Sequence, residues 1–224
     1  PGYCLVCGES EQGSTICQRC RTRFQALLYQ ACPHCAAPAA PGGLPCPFCR
    51  EGHYSFRRAS ALGLYQGFLR DVVLSTKRPG GGLLAYRIGQ MLGELFASQL
   101  AREHYSLLTA APVHWRRRWR RGFNGAELMI HGLQTRLAVP TGPRLLVHQR
   151  PTRKQAMLSS GQRGRNVKGA YRLRPGHQLA GQQVLLLDDV MTTGKTAGEL
   201  SHVLKKAGAE RVDLLVLARG LPHR

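Results

Sequence analysis

The chain has 224 residues, is 43% hydrophobic and carries 32 Lys and Arg against 12 Asp and Glu, a net charge of +20. That length holds one ordinary α/β domain and a small companion, and no apolar run approaches the roughly 18 residues of a membrane-spanning helix. The basic excess is concentrated in residues 111–175, which hold 15 Lys or Arg and one acidic residue, Glu127, so a polyanionic partner, nucleic acid or pyrophosphate, is expected. With no basic-then-apolar leader pattern, the expectation is a cytoplasmic protein without membrane insertion.

All eight cysteines fall in the first 49 residues as four C-x2-C pairs: Cys4/Cys7, Cys17/Cys20, Cys32/Cys35 and Cys46/Cys49. A C-x2-C turn presents two thiolates to one metal, and two such turns complete a tetrahedron. Disulfides suit a secreted chain, and a redox pair needs neither four repeats nor this setting. Two structural Cys4 zinc sites are therefore expected in a double zinc ribbon over residues 1–52. Sequential pairing (4/7 with 17/20, 32/35 with 46/49) is favoured over a cross-brace, because Gly8 follows the first pair and the internal gaps are short. Few large apolar residues lie in this segment, so metal is expected to supply its folding energy. Residues 36–47, rich in Ala, Pro and Gly, read as the irregular loop of the second ribbon.

Residues 53–224 read as a parallel-sheet α/β domain. Leu62, Leu64 and Phe68 suit a strand or helix joining the domains, and 77–82 read as a basic, flexible loop. Leu84, Ile88, Met91, Leu92, Leu95 and Leu100 recur at helical spacing from Leu83 to about Arg102. Ser106 to Val113 reads as a strand. Asn124 to Leu137 reads as a helix, with Asn124 as N-cap and Glu127 completing a capping box. A short strand follows at Arg144 to Val147, then a strand at 183–188, a helix at 196–207 stopped by Gly208, and a strand at Val212 to Ala218. Alternating strands and helices place ligands at the carboxyl ends of the strands.

Residues 184–196, Val-Leu-Leu-Leu-Asp-Asp-Val-Met-Thr-Thr-Gly-Lys-Thr, carry the strongest functional signal. A doubly buried strand runs into Asp188 and Asp189, then a small hydroxyl-rich loop, then a helix N-terminus, where amides and dipole favour an anion. Gly194-Lys195-Thr196 imitates the end of a nucleotide-triphosphatase loop, but that motif needs a glycine where Asp189 stands. The segment instead resembles the 5-phosphoribosyl-1-pyrophosphate (PRPP) motif of type I phosphoribosyltransferases. That resemblance gives Asp188 and Asp189 the ribose hydroxyls, and Thr192, Thr193, Gly194, Lys195 and Thr196 the 5′-phosphate. Arg116, Arg117, Arg118, Arg120 and Arg121 read as lying on the loop after the 106–113 strand and suit the pyrophosphate. Lys77, Arg150 and Arg153 are further candidates on closing loops. Trp115 and Trp119 between the arginines also suit stacking on single-stranded bases.

The cysteine pairs, Pro112-Val113, Arg121-Gly122-Phe123-Asn124, Gln155-x-x-Leu158, Arg163-x-x-Asn166-Val167 and the 184–196 motif follow the order of the ComF/GntX family, which the chain resembles along nearly its whole length. The resemblance implies an amino-terminal zinc-binding region, a phosphoribosyltransferase-like domain and a link to DNA uptake in natural transformation. Lys195 stands where a small residue is more usual. Two functions are expected from it: Mg²⁺-dependent phosphoribosyl transfer to an unspecified acceptor, or a single-stranded-DNA-binding role in which the PRPP site is non-catalytic. A homodimer is the expectation that type I phosphoribosyltransferases bring.

Overall fold

The structure is a computed structural model that describes residues 2–49, 54–149 and 167–221. At its centre lie the strands β1 (Ala59–Leu64), β2 (Leu107–Ala110), β3 (Thr141–Gly142), β6 (Gln183–Met191) and β7 (Arg211–Arg219). They form a five-stranded, wholly parallel sheet in the order β1-β7-β6-β2-β3. The two longest, β6 and β7, lie side by side at the middle, and Val184–Leu187 and Val212–Ala218 are buried on both faces. This is why both read as near-continuous apolar runs. β4 (Leu146–His148) and β5 (Tyr171–Leu173) form a separate antiparallel pair. The strand expected at 144–147 is therefore displaced and lies outside the main sheet.

Side chains alternate across the sheet, so each face builds its own apolar cluster. On one face Leu185, Leu187, Leu215 and Leu217 pack with three helices, α2 (Gly67–Ser75), α3 (Gly82–Leu95) and α6 (Gly125–Gln134). On the other, Val184, Leu186, Leu214 and Val216 pack with α7 (Lys195–Lys206) and the β4–β5 pair. The helix expected from Leu83 to Arg102 is interrupted at Phe96, whose φ of −105° and ψ of 10° separate α3 from α4 (Ala97–Ala101). α3 and α6 approach through glycines: a Cβ on Gly132 would stand 2.0 Å from the Tyr86 carbonyl oxygen, and one on Gly89 equally close to that of Met129. The Arg-rich stretch expected as a loop is a short helix, α5 (Trp115–Arg121).

The cysteine-rich segment contributes more apolar packing than its composition suggests. α1 (Gln18–Gln25), which no periodic pattern in the sequence announces, inserts Phe24 fully into the helical-face cluster, where its ring meets Phe68 at 5.0 Å. Cys4, Cys17 and Cys20 belong to that cluster, whereas Cys32 and Cys35 belong to the cluster on the other face. Each group of four cysteines thus sits on its own side of the sheet.

Candidate functional site

Cys4, Cys7, Cys17 and Cys20 form one group and Cys32, Cys35, Cys46 and Cys49 a second, with ligand atoms within 4.8 Å of one another. The sequential pairing is the one adopted. A tetrahedron with Zn–S bonds of about 2.3 Å requires sulfurs about 3.8 Å apart. The Sγ atoms of Cys7 and Cys17 are 3.8 Å apart, those of Cys32 and Cys49 3.7 Å, and those of Cys35 and Cys46 3.6 Å. All eight cysteines are free thiols, so both groups fit a tetrahedral zinc ion and neither is disulfide-bonded. With four thiolates each, these sites are closed and suit a structural ion.

At the carboxyl end of the sheet lies a cavity of 270 Å³. β6 carries Asp188 and Asp189 to its edge, the loop 192–194 crosses it, and the N-terminus of α7 closes it, so all seven residues expected from the 184–196 motif line one space. Gly194 caps α7 with φ of 73°, the left-handed region, and a Cβ there would meet the Tyr54 ring at 2.5 Å. The first bond of α7 runs from the Gly198 N–H to the Gly194 carbonyl at 2.7 Å. The first turn of α7 directs its amide ends toward this end of the cavity, which with the helix dipole makes it attractive to an anion.

The two aspartates are not equivalent. Alternation along β6 sends Asp189 toward the helical face, where Lys77 Nζ lies 2.7 Å from its Oδ2. Asp188 Oδ1 accepts the Asp189 N–H at 2.7 Å. Burial, aided by the negative charge of Asp189, pushes the Asp188 carboxyl up to about 7. Tyr171, across the cavity, is pushed up to about 12, chiefly by its own burial and also by the charge of Asp188.

Of the five arginines in α5, Arg117 and Arg121 line the cavity. Burial draws Arg121 down from the ordinary guanidinium range, opposed by the charge of Asp189. Arg118 points away, donating to Glu127 Oε1 at 2.6 Å, while Arg116 lies over the Trp115 ring and Arg120 is exposed. Asn124 is the N-cap, accepting the Ala126 N–H. Glu127 does not complete a capping box; its buried carboxylate is taken by Arg118, Arg144 and the Asn124 side-chain amide. Two charged neighbours outcompete the backbone amide for it.

Lys77, a lesser candidate from sequence, stands in the site itself. Arg150, Arg153, Gln155, Leu158, Arg163 and Asn166 lie outside the described residues. Sequence reasoning missed Thr76, His114, His148 and Tyr171, which also line the cavity. His148 Nε2 meets the Pro112 carbonyl at 3.3 Å, and its ring lies 4.8 Å from Tyr171. No local pattern marks these residues, since they converge from separated segments. Among the described residues no helix is long and apolar enough to cross a membrane.

A family model described as phosphoribosyl transferase domain matches residues 124–222. The DNA utilization protein YhgH of Salmonella typhimurium is 31% identical over 230 residues, covering 99% of this chain and 98% of that one. Competence protein F of Haemophilus influenzae is 28% identical over 209 residues, covering 91% and 90%. Among solved structures, glutamine PRPP amidotransferase of B. subtilis is 18% identical with a TM-score of 0.42, covering 63% of this chain and 30% of that one. The cysteine groups, the parallel α/β sheet and end-to-end similarity to these relatives agree, and the chain belongs to the ComF/GntX family.

Proposed function

We propose that the cavity binds PRPP with Mg²⁺ and that the protein serves DNA utilization or uptake, as the names of its relatives indicate. The observation that carries the ligand is the convergence of an acidic pair, a hydroxyl-rich loop at a helix N-terminus and two arginines around one 270 Å³ space. In this reading Asp188 and Asp189 accept hydrogen bonds from the ribose 2′ and 3′ hydroxyls. Thr192, Thr193, Gly194, Lys195 and Thr196 enclose the 5′-phosphate. Lys77, Arg117 and Arg121 face the pyrophosphate. Magnesium fits by donor chemistry: carboxylate oxygens flank the space, and such ions are held by one or two carboxylates together with substrate phosphate oxygens. When bound, it neutralises the pyrophosphate as a leaving group. The chain's own residues supply position and charge, which carry most of the rate in a displacement at the ribose anomeric carbon.

Calorimetric titration of the zinc-loaded protein with PRPP and Mg²⁺ tests this. The Asp188→Ala/Asp189→Ala variant should bind at least about tenfold more weakly, the loss expected from removing charge-assisted hydrogen bonds. Equal binding by the two proteins removes Asp188 and Asp189 from the binding site, and none by the wild type removes PRPP as the ligand. A second reading, grip on single-stranded DNA, rests on α5, where Trp115 and Trp119 are 64% and 86% exposed among arginines. It requires DNA affinity that falls steeply with salt and survives the double aspartate substitution.

A further inference from the structure

Arg219, the last residue of β7, is 1% exposed. No carboxylate pairs with it among the described residues; its partners are carbonyl oxygens. Nε donates to the Cys35 carbonyl at 2.7 Å, and the two N–H groups of Nη1 are shared among the carbonyls of Met191 at 3.1 Å, Thr192 and Gly220. A buried guanidinium is costly unless its donors are taken up, and here carbonyl dipoles do so. What those carbonyls have in common is position. Cys35 is a thiol of the second cysteine group, Thr192 opens the phosphate loop, and Met191 and Gly220 are joined by their own 2.8 Å backbone bond beneath it.

A second tie runs in parallel. The Tyr54 ring lies against Gly194 closely enough to exclude a side chain there, and it stacks on Phe56 at 4.7 Å and 11°. Phe56 is buried in the same apolar cluster as Cys32, Cys35, Met191 and Ala197, with Cys46, Cys49 and Tyr54 packed against it. The loop is thus held from behind at its first residue by Arg219 and at its glycine by Tyr54. The contacts of the first cysteine group run to the opposite face, through Phe24 to Phe68 and Arg21 to Glu94.

We propose that the second cysteine group, loaded with zinc, is a positioning element for the phosphate loop and that Arg219 transmits its hold. This deepens the PRPP reading: metal at Cys32, Cys35, Cys46 and Cys49 fixes the Cys35 carbonyl, Arg219 spans from it to Thr192, and the loop amides are kept in their anion-binding arrangement. Arg219 touches no substrate in this arrangement and acts through the loop.

Two readouts test it on the full-length protein: hydrogen exchange of residues 190–197, and calorimetric affinity for PRPP with Mg²⁺. Cys46→Ser should release one zinc equivalent, raise exchange in the loop and weaken binding about tenfold, a usual coupling between linked sites. Cys7→Ser should also release one equivalent yet leave the loop within about twofold of wild type by both measures. Cys46→His, which keeps a zinc ligand, should restore the loop. Arg219→Lys retains the charge but cannot span two carbonyls separated by the width of a guanidinium, so it should loosen the loop with both zinc ions retained. That variant keeps the question open to measurement if Cys46→Ser does not fold. Unchanged exchange and affinity in Cys46→Ser, equal disturbance in Cys7→Ser, or wild-type behaviour in Arg219→Lys each overturns the proposal. Failure of the wild type to bind PRPP counts against the ligand alone, since the exchange comparison still reads the coupling.

Discussion

The first cysteine group and the second share a ligand set and a spacing, yet they rest on opposite faces of one sheet. Cys4, Cys17 and Cys20 are embedded with Phe24 among the helices α2, α3 and α6, a face closed by interlocking glycines. Cys32 and Cys35 lie with Met191 and Ala197, the residues that bracket the loop at the end of β6. The same division runs through the acidic pair: Asp189 turns to Lys77 beside the helical face, and Asp188 shares the other side with Tyr171. One motif repeated in sequence therefore has two different settings, because the sheet on which it is mounted has two different faces.

The strongest way to break this comparison is metal removal. Structural zinc contributes about 10–16 kcal/mol of binding free energy in small cysteine-rich modules. Chelation should therefore unfold residues 2–49, seen as lost helicity in circular dichroism and full hydrogen exchange of α1. Retention of α1 without metal would show that Phe24 packing suffices. A smaller effect is expected from Gly132→Ala, whose added methyl meets the Tyr86 carbonyl at 2.0 Å. It should cost about 3 kcal/mol in chemical denaturation while PRPP affinity of the folded protein stays the same. A parallel loss of affinity would mean the two faces are not independent.

pH sharpens the contrast within the acidic pair. The Asp188 carboxyl is raised from an ordinary 3.8 to about 7. Between about 3.8 and about 7 the folded state holds a proton that the unfolded state releases, so this group's contribution to stability is full below about 3.8 and is lost by the time pH has risen through about 7. Ligand binding runs the other way, because the ionised carboxylate is the better acceptor for a ribose hydroxyl. PRPP affinity should rise as pH passes through about 7, with proton release, measurable by calorimetry in buffers of differing ionisation enthalpy. Asp188→Asn should flatten that rise and Asp189→Asn should not; a rise that survives in Asp188→Asn assigns it elsewhere. The smallest effect is expected at the exposed pair Arg21–Glu94, separated by 3.3 Å. Arg21→Ala should change stability by about 0.5 kcal/mol or less. A larger loss by denaturant titration would show that charge, rather than the Phe24 contact, anchors the first group.

Features built from contiguous residues are legible without the fold. The four C-x2-C pairs, and the strand, loop and helix from Gln183 to Lys206, are specified by spacing and by local backbone rules, so their chemistry is legible in the residues alone. The family follows from the order of these same motifs. Tertiary structure alone decided what meets across the chain. β1 lies beside β7, with Ala59 paired to Leu214, and nothing in the pattern of either strand names that neighbour. Lys77 reaches Asp189, His148 and Tyr171 wall the cavity, Glu127 leaves its cap for Arg118, and Arg219 ties Cys35 to Thr192. Each of these depends on strand order and on which face a side chain takes. Those are set by long-range burial and charge pairing, whose partners are far apart in sequence, so no local pattern encodes them.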